Sequence, residues 1–329
     1  PLQTARHFSN TLFNVMRGGI FDDGYSVAKA DLLDFIASAN RRAAEKLVLD
    51  GLPDTFQYPD GLAFFRTLND PELERLYLEY MPLTFSRRHG DPSRPWNRFS
   101  IETRDTDGSK KLSYEGNWRD IFQNWEALGI SYPGFFESMI CKFVNASTAD
   151  GYNPYRITRN GIDWEVHDPN DPWAYIGYWG DHQIIYLLKL LEQSEAFKPG
   201  QLNKMLNKEI FVYANVPYQI KPYKSLLENP RDSIDFDEDA HAAIMALSET
   251  IGSDGKLVYL KGDGILRVNL TEKLLVPLLA KLTNFIPEAG IWMNTQRPEW
   301  NDANNALVGS GVSMVTLCYM RRYLDFCIE

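Results

Sequence analysis

The residues of this chain best suited to chemistry lie at 297–311, in the order Arg-Pro-Glu-Trp-Asn-Asp-Ala-Asn-Asn-Ala-Leu-Val-Gly-Ser-Gly. An acidic, amide-rich loop, Glu299-Trp300-Asn301-Asp302, leads into a segment expected to be helical almost to the C-terminus. Asp302 suits the cap or first turn of that helix, where the macrodipole favours a carboxylate. Trp300, two residues earlier, offers a flat apolar face of the kind that packs against one side of a pyranose ring. A carboxyl beside an indole, in a loop aimed at a cleft, is a group whose pKa burial can raise until it acts as a general acid. The plain alternative is an Asp N-cap next to a packed Trp.

The elements that must position these residues are mostly helical by pattern. Helices are expected over 5–17, stopped by Gly18-Gly19, and from Ser26 as cap to about residue 49. Asp70-Pro71 opens another. Gly116-Asn117 precedes a helix to about residue 128, with Trp118, Ile121, Phe122, Trp125 and Leu128 on one stripe and Asp120 opposite. Further helices are expected over 135–146, from Pro172 to about 192, over 240–251, and over 271–284 with Pro277 as a kink. Between them, 85–111 and 150–171 read as long loops, the second carrying Arg156, Arg159, Asp163, Trp164, Glu165, His167 and Asp168. A short hairpin is expected at 257–260 and 265–268. Roughly ten helices in antiparallel succession, with little strand, predict an all-α fold. Its architecture would be a toroid of helical hairpins, one domain over 1–329, with the cleft at one end of the ring.

Composition narrows the function. The chain has 329 residues, 44% hydrophobic, enough to bury a large core. Its net charge of −10, without a basic cluster, argues against nucleic acid or anionic membrane as partner. No apolar run approaches the roughly 20 residues that span a bilayer. The three cysteines, Cys141, Cys318 and Cys327, have no metal-ligand spacing and weakly favour a reducing, cytoplasmic compartment. The acidic run at 232–239 matches no calcium-loop spacing, so neither metal nor cofactor is expected. Asn145-Ala146-Ser147 is a glycosylation sequon of a length that arises by chance. The opening Pro-Leu-Gln reads as a piece of a longer polypeptide, whose remainder would be a partner in the fold.

Two stretches together resemble a known family. Gly116-Asn117-Trp118-Arg119-Asp120-Ile121-Phe122-Gln123 is similar to the aromatic-Arg-Asp-x-x-Gln segment of the cellobiose and chitobiose phosphorylases, and the Trp300–Gly309 segment resembles their Trp-Asn-Asp-Gly-Met-Asn segment. The resemblance implies an (α/α)6 barrel acting with inversion, with Asp302 as general acid and Asp120 and Arg119 at the cleaved sugar. It extends from about Gly116 to the C-terminus, and Phe8 to Gly19 resembles an earlier barrel helix, making Arg17 a candidate sugar contact. The chain departs from the family at Glu299, where Asp is usual, and at Ala303-Asn304, where Gly-Met is usual. Residues 22–113 have no counterpart and read as an insertion. The family's phosphate-binding segment, C-terminal to its acid, has no counterpart either.

Inverting cleavage needs a protonated carboxyl at the leaving oxygen and a nucleophile on the opposite face. A phosphorylase uses phosphate; a hydrolase needs a second carboxylate, roughly 6.5–9.5 Å away, to deprotonate water. Glu165, Asp163 and Glu137 are the available bases, with Glu165 preferred because Trp164 beside it could line the same cleft. His182, inside an apolar helix, reads as a core histidine. The expected function is therefore cleavage of a β-linked glucan or oligosaccharide, with water as favoured nucleophile and phosphate as the alternative. The rivals are a non-catalytic carbohydrate-binding or scaffold module, which needs no acid at the bond, and a toroidal sugar epimerase, which would need paired histidines.

Overall fold

Caps and breakers set the helices. A computed structural model of the protein describes residues 2–5, 7–8, 19–84, 103–154, 156–166, 168, 170, 181–261, 264–295 and 307–329; the side chains of 117–120 and 181–182 also lie outside the description. In chain order the helices are α1 (Lys29–Ala39), α2 (Arg41–Lys46), α3 (Tyr58–Thr67), α4 (Pro71–Glu79), α5 (Trp118–Ser131) and α6 (Phe136–Asn145). They continue with α7 (Asp181–Phe197), α8 (Tyr223–Glu228), α9 (Glu238–Ile251), α10 (Leu270–Leu282) and α11 (Met314–Ile328). Asp70 caps α4 by accepting from the backbone N–H of Glu72 at 2.9 Å and Leu73 at 3.2 Å, with Pro71 in the first turn. Asp237, Asn269 and Ser313 cap α9, α10 and α11 in the same way.

The expected all-α toroid is overturned. About 51% of the structure is helical and 16% is strand, and the strands form several small antiparallel sheets. One pairs β1 (Ser26–Ala28) with β2 (Thr55–Gln57); another orders β3 (Glu115–Asn117), β4 (Arg156–Thr158) and β5 (Gly161–Asp163) side by side. β6 (Phe211–Val212) pairs with a distant strand, and β7 (Tyr218–Ile220) pairs with β8 (Ile234–Phe236). Then follow β9 (Tyr259–Leu260), β10 (Gly264–Ile265), β11 (Arg267–Val268), β12 (Phe285–Ile286), β13 (Gly290–Trp292) and β14 (Val312–Ser313). These segments are two or three residues long, and β1, β2, β4 and β5 each bury a single residue, Val27, Phe56, Ile157 and Ile162. Such pieces are too short for an alternation to register.

Three element boundaries also differ from the pattern. Ser26 lies in a strand instead of capping a long helix, and Asn40, extended at φ −150°, ends α1 and caps α2 through Ala43 N–H at 3.0 Å. The side chain of Asn competes with the helix for backbone bonds, which is why the expected single helix breaks there. In the predicted hairpin, β9 pairs with β10, whereas β11 pairs with β6. The C-terminal helix begins at Met314, after β14, instead of continuing from Asp302. Its approach is held by Gly309, at φ +73°, whose added Cβ would lie 1.7 Å from the Pro230 Cβ.

The core is centred on α6, every one of whose 10 residues is buried. It packs against α4, α5 and α7, and α7 packs in turn against α11. Trp125, Phe122, Phe143, Ile140 and Leu187 belong to this one apolar cluster. Residues 21–82 enter it as a flank whose ends meet: Ile20 and Thr84 exchange backbone hydrogen bonds at 2.8 and 3.1 Å. Phe21 stacks on Phe135 with ring centroids 4.0 Å apart, and Tyr58 shares a hydrogen bond with Ser138 of α6.

Charges are buried where this flank meets the rest. Arg75, 1% exposed, donates to Asp254 and lies 3.3 Å from Glu79. Asn40 donates to Asp254 at 2.9 Å and to Glu72, and Asn145 of α6 donates to Glu79. Burial works against the Arg75 charge, but the carboxylates of Asp254 and Glu79 outweigh it and raise its pKa. Burial also raises the pKa of Asp254, opposed by Arg75. Asp254 reaches this cluster because Gly252, at φ +113°, turns the chain where an added Cβ would sit 2.5 Å from the Ser38 carbonyl oxygen. Arg75→Met should leave both carboxylates unpaired and cost about 3–5 kcal/mol in chemical denaturation. Arg75→Met/Asp254→Leu should recover part of that loss; an exposed-pair cost below about 1 kcal/mol for the single variant would contradict the buried assignment.

Candidate active site

The β3–β4–β5 sheet brings two of the chemically interesting segments to one end. Asn117 of β3 pairs with Arg156 of β4, and Arg156 pairs with Asp163 of β5. β3 and β5 run in the same direction, so the chain leaves both strands at the same edge. From β3 it passes directly into α5, with Arg119 and Asp120 in the first helical turn. From β5 it passes through Trp164 to Glu165. The row is held by charge as well: Arg156 lies 2.7 Å from Glu115 and 3.9 Å from Asp163.

The hairpin β4–β5 is fixed from below. Lys142 of α6 donates to the Arg159 carbonyl at 2.8 Å. The Arg159 guanidinium lies 2.8 Å from Asp31 of α1 and donates to the Leu112 carbonyl at 3.0 Å. Burial, opposed by Glu79 and Cys141, lowers the pKa of Lys142 to about 8.

Trp164 is 3% exposed and is packed into the core. Its indole N–H donates to His241 Nδ1 at 3.1 Å, and the Lys256 ammonium sits 5.1 Å from its ring centroid. Lys256 also lies 3.3 Å from Asp163, whose carboxylate accepts from the Trp164 N–H at 3.0 Å. Glu137 is 5% exposed and committed to Arg66 at 2.6 Å and Gln201 at 2.7 Å. Of the three candidate bases, Asp163 and Glu137 are therefore engaged in structural ion pairs. Glu165 is half-buried, and its backbone carbonyl accepts from the Tyr218 hydroxyl. Trp164 and Tyr218 thus pin Glu165 on two sides. Asp302, Trp300, Arg17 and His167 lie outside the described residues, as do the side chains of Arg119, Asp120 and His182.

Tyr218 also lines an open cleft of about 450 Å³, together with Asp150, Tyr152, Gln219, Thr283 and Asn294. Tyr152 directs its hydroxyl to Asn294 Oδ1 at 3.4 Å. These residues come from four separate parts of the chain, so no local sequence signal announces them. The same holds for His241 behind Trp164. The acidic run at 232–239 is structural: Asp237 caps α9, and Asp232 and Asp235 lie 2.7 and 3.4 Å from Lys221.

A family model described as glycoside hydrolase family 149 insertion domain 1 matches residues 21–82. The match relates the chain to a glycoside-hydrolase family through an insertion domain, without reaching the motif segments at 116–123 and 300–309. No curated protein matches the chain.

Two outcomes follow from this geometry. Trp164→Ala should cost roughly 3–5 kcal/mol of stability, read by thermal or chemical denaturation, because it empties a packed core site. A destabilisation below about 1 kcal/mol would return Trp164 to a solvent-facing role. For Lys142, the unfolded chain holds its proton to a higher pH than the folded one, so the cost of burying the charge is complete below about pH 8 and fades as pH rises toward 10.5. The stability of Lys142→Met relative to the parent chain should therefore fall by roughly 2–3 kcal/mol across that window. A difference that stays flat with pH would show that Lys142 is solvated.

Proposed function

We propose that this chain is part of a carbohydrate-active enzyme that cleaves a glycosidic bond of a glucan or oligosaccharide with inversion. The observation that carries this reading is the glycoside hydrolase family 149 insertion-domain match at 21–82, in a chain whose other segments resemble inverting sugar phosphorylases. Asp302 donates a proton to the leaving oxygen as the bond to the anomeric carbon breaks. Water attacks that carbon from the opposite face, and Glu165 takes the proton that water releases. Asp120, with Arg119, accepts hydroxyls of the cleaved sugar; Trp300 covers one ring face, and Arg17 contacts the sugar from an earlier segment. Trp164 acts behind Glu165 instead of against substrate, since its ring is buried. Residues 21–82, which overlap the longer stretch at 22–113 that lacks a counterpart, form an inserted flank.

Two features support the geometry of the proposal. The β3–β4–β5 sheet sends the Asp120 and Glu165 segments out from one edge, and the Tyr218 hydroxyl braces the Glu165 backbone. Phosphorolysis is the second reading, favoured by the resemblance of both motifs to phosphorylases. The deciding experiment incubates the chain with β-linked gluco-oligosaccharides in phosphate-free buffer, then adds phosphate, and identifies the products. Free reducing sugar before phosphate is expected. A sugar 1-phosphate formed solely after the addition makes the nucleophile phosphate and removes Glu165 from its role. Asp302→Asn should lower turnover of an unactivated glycoside by about 10²–10⁴ while leaving the melting temperature unchanged. Turnover near the parent level would remove Asp302 from the mechanism.

A further inference from the structure

Helix α10 has its polarity turned inside out. Its two lysines, Lys273 and Lys281, are buried, with their ammonium groups 3.5 Å from the Tyr213 ring centroid and 4.6 Å from that of Tyr152. Lys273 also donates to the Ser147 carbonyl at 3.3 Å. Leu275, Leu279 and Leu282, by contrast, are exposed. Their spacing of four and then three residues puts them on one face of the helix, and it is the repeat by which paired helices interdigitate. A helix that faces water carries its charges outside and its leucines inside, so the outer face of α10 has the composition of a covered one.

The apolar stripe runs on past the end of the helix. Phe285 and Ile286 form β12, an edge strand of the β12–β13–β14 sheet, and both are exposed. Ile286 pairs with Gly290, where an added Cβ would lie 3.4 Å from the Met314 Sδ, so the exposed Met314 borders the same patch. Among the described residues between Glu272 and Glu288, every exposed one is uncharged. The six apolar residues of the patch are 41–54% exposed. At roughly 200 Å² for a large residue, they present on the order of 550 Å² of surface. That lies at the top of the range of about 300–600 Å² for the largest patch on a monomer. Homodimer interfaces are about 65% apolar, so with a polar rim the patch makes about 850 Å² per copy, against the roughly 800 Å² of a specific interface.

We infer that this face is a self-association surface, covered by the same face of a second copy of the chain about a two-fold axis. A two-fold contact sets a patch against itself, so the patch must tolerate its own charges and supply enough area alone. This one meets both conditions: it places no exposed charge opposite its image, although the chain as a whole carries −10, and its size matches a stable dimer. Leu279 and Leu282, in the middle of the stripe, then pack against their own images.

The test is sedimentation velocity over a concentration series of the chain, at low and at high salt. A dimer is expected, and association should tighten as salt screens the repulsion between two copies of net charge −10. Leu279→Glu/Leu282→Glu should leave the melting temperature unchanged and raise the dissociation constant at least about a hundredfold, because each carboxylate faces its image. Leu279→Gln/Leu282→Gln, which adds no charge, should raise it about tenfold and reads the same interface should the charged variant unfold. Val48→Glu, at an exposed apolar position in the flank at 21–82, should leave the dimer intact. A parent chain that stays monomeric throughout the series overturns the inference. So does a dimer that both stripe variants leave intact, that Val48→Glu disrupts as strongly, or that high salt dissolves.

Discussion

A helix buried on every side has to have each of its polar side chains answered by a partner, and α6 is such a helix. Glu137 meets Arg66 and Gln201; Ser138 meets Tyr58; Lys142 meets the Arg159 carbonyl; Asn145 meets Glu79 and, at 3.0 Å, the N–H of Val212. Their partners are scattered over much of the sequence, so satisfying this one helix fixes where several distant segments must lie. Apolar burial around Trp125 and Phe143 supplies the driving force, but it is non-directional. The polar matches are what select one arrangement, because an unmatched group here costs about 1–3 kcal/mol and a lone charge more.

The same constraint reaches the surface through a short series of contacts. Lys142 holds Arg159 at the turn of the β4–β5 hairpin, and Arg159 reaches out to Asp31. The hairpin sets the register that aligns Asn117, Arg156 and Asp163, and the chain beyond β5 is anchored by the Trp164 indole on His241. Glu165 therefore emerges from a rigid base, with Tyr218 bracing its backbone. Support of this kind suits the role of base proposed for Glu165, because a group that meets a bond to within a fraction of an ångström needs it.

How legible this was from sequence depended on the range of each signal. Asp70-Pro71 marked the start of α4, and the apolar stripe of Trp118 to Leu128 marked α5, because caps and helical periodicity act within a few residues. The apolar run beginning at Phe135 likewise located α6. The strands were hidden because a lone buried Val27 or Ile157 looks like loop, and Asn40 concealed a cap within what read as one continuous helix. Trp164 was misread for a related reason: a tryptophan among charges resembles a ligand platform until a histidine far along the chain turns out to cover it. The cleft residues could not be assembled from sequence at all, since Tyr152, Gln219, Thr283 and Asn294 meet through tertiary packing alone. The motif residues Trp300 and Asp302 were singled out by type and resemblance, which names chemistry without giving distances.

The bridge between Ile20 and Thr84 has a consequence for how such a protein could have arisen. A segment whose two ends meet at one point can be acquired in a single event, because the host chain need only open a gap about one strand spacing wide. Leaving again is another matter. Asp254 and Glu137, outside the flank, now rely on Arg75 and Arg66 inside it, so excision would strand two carboxylates in a core that has closed around them. The doorway is narrow, yet the seam behind it is not: each buried charge pair that crosses it ties the flank to the rest of the chain as firmly as a continuous core would.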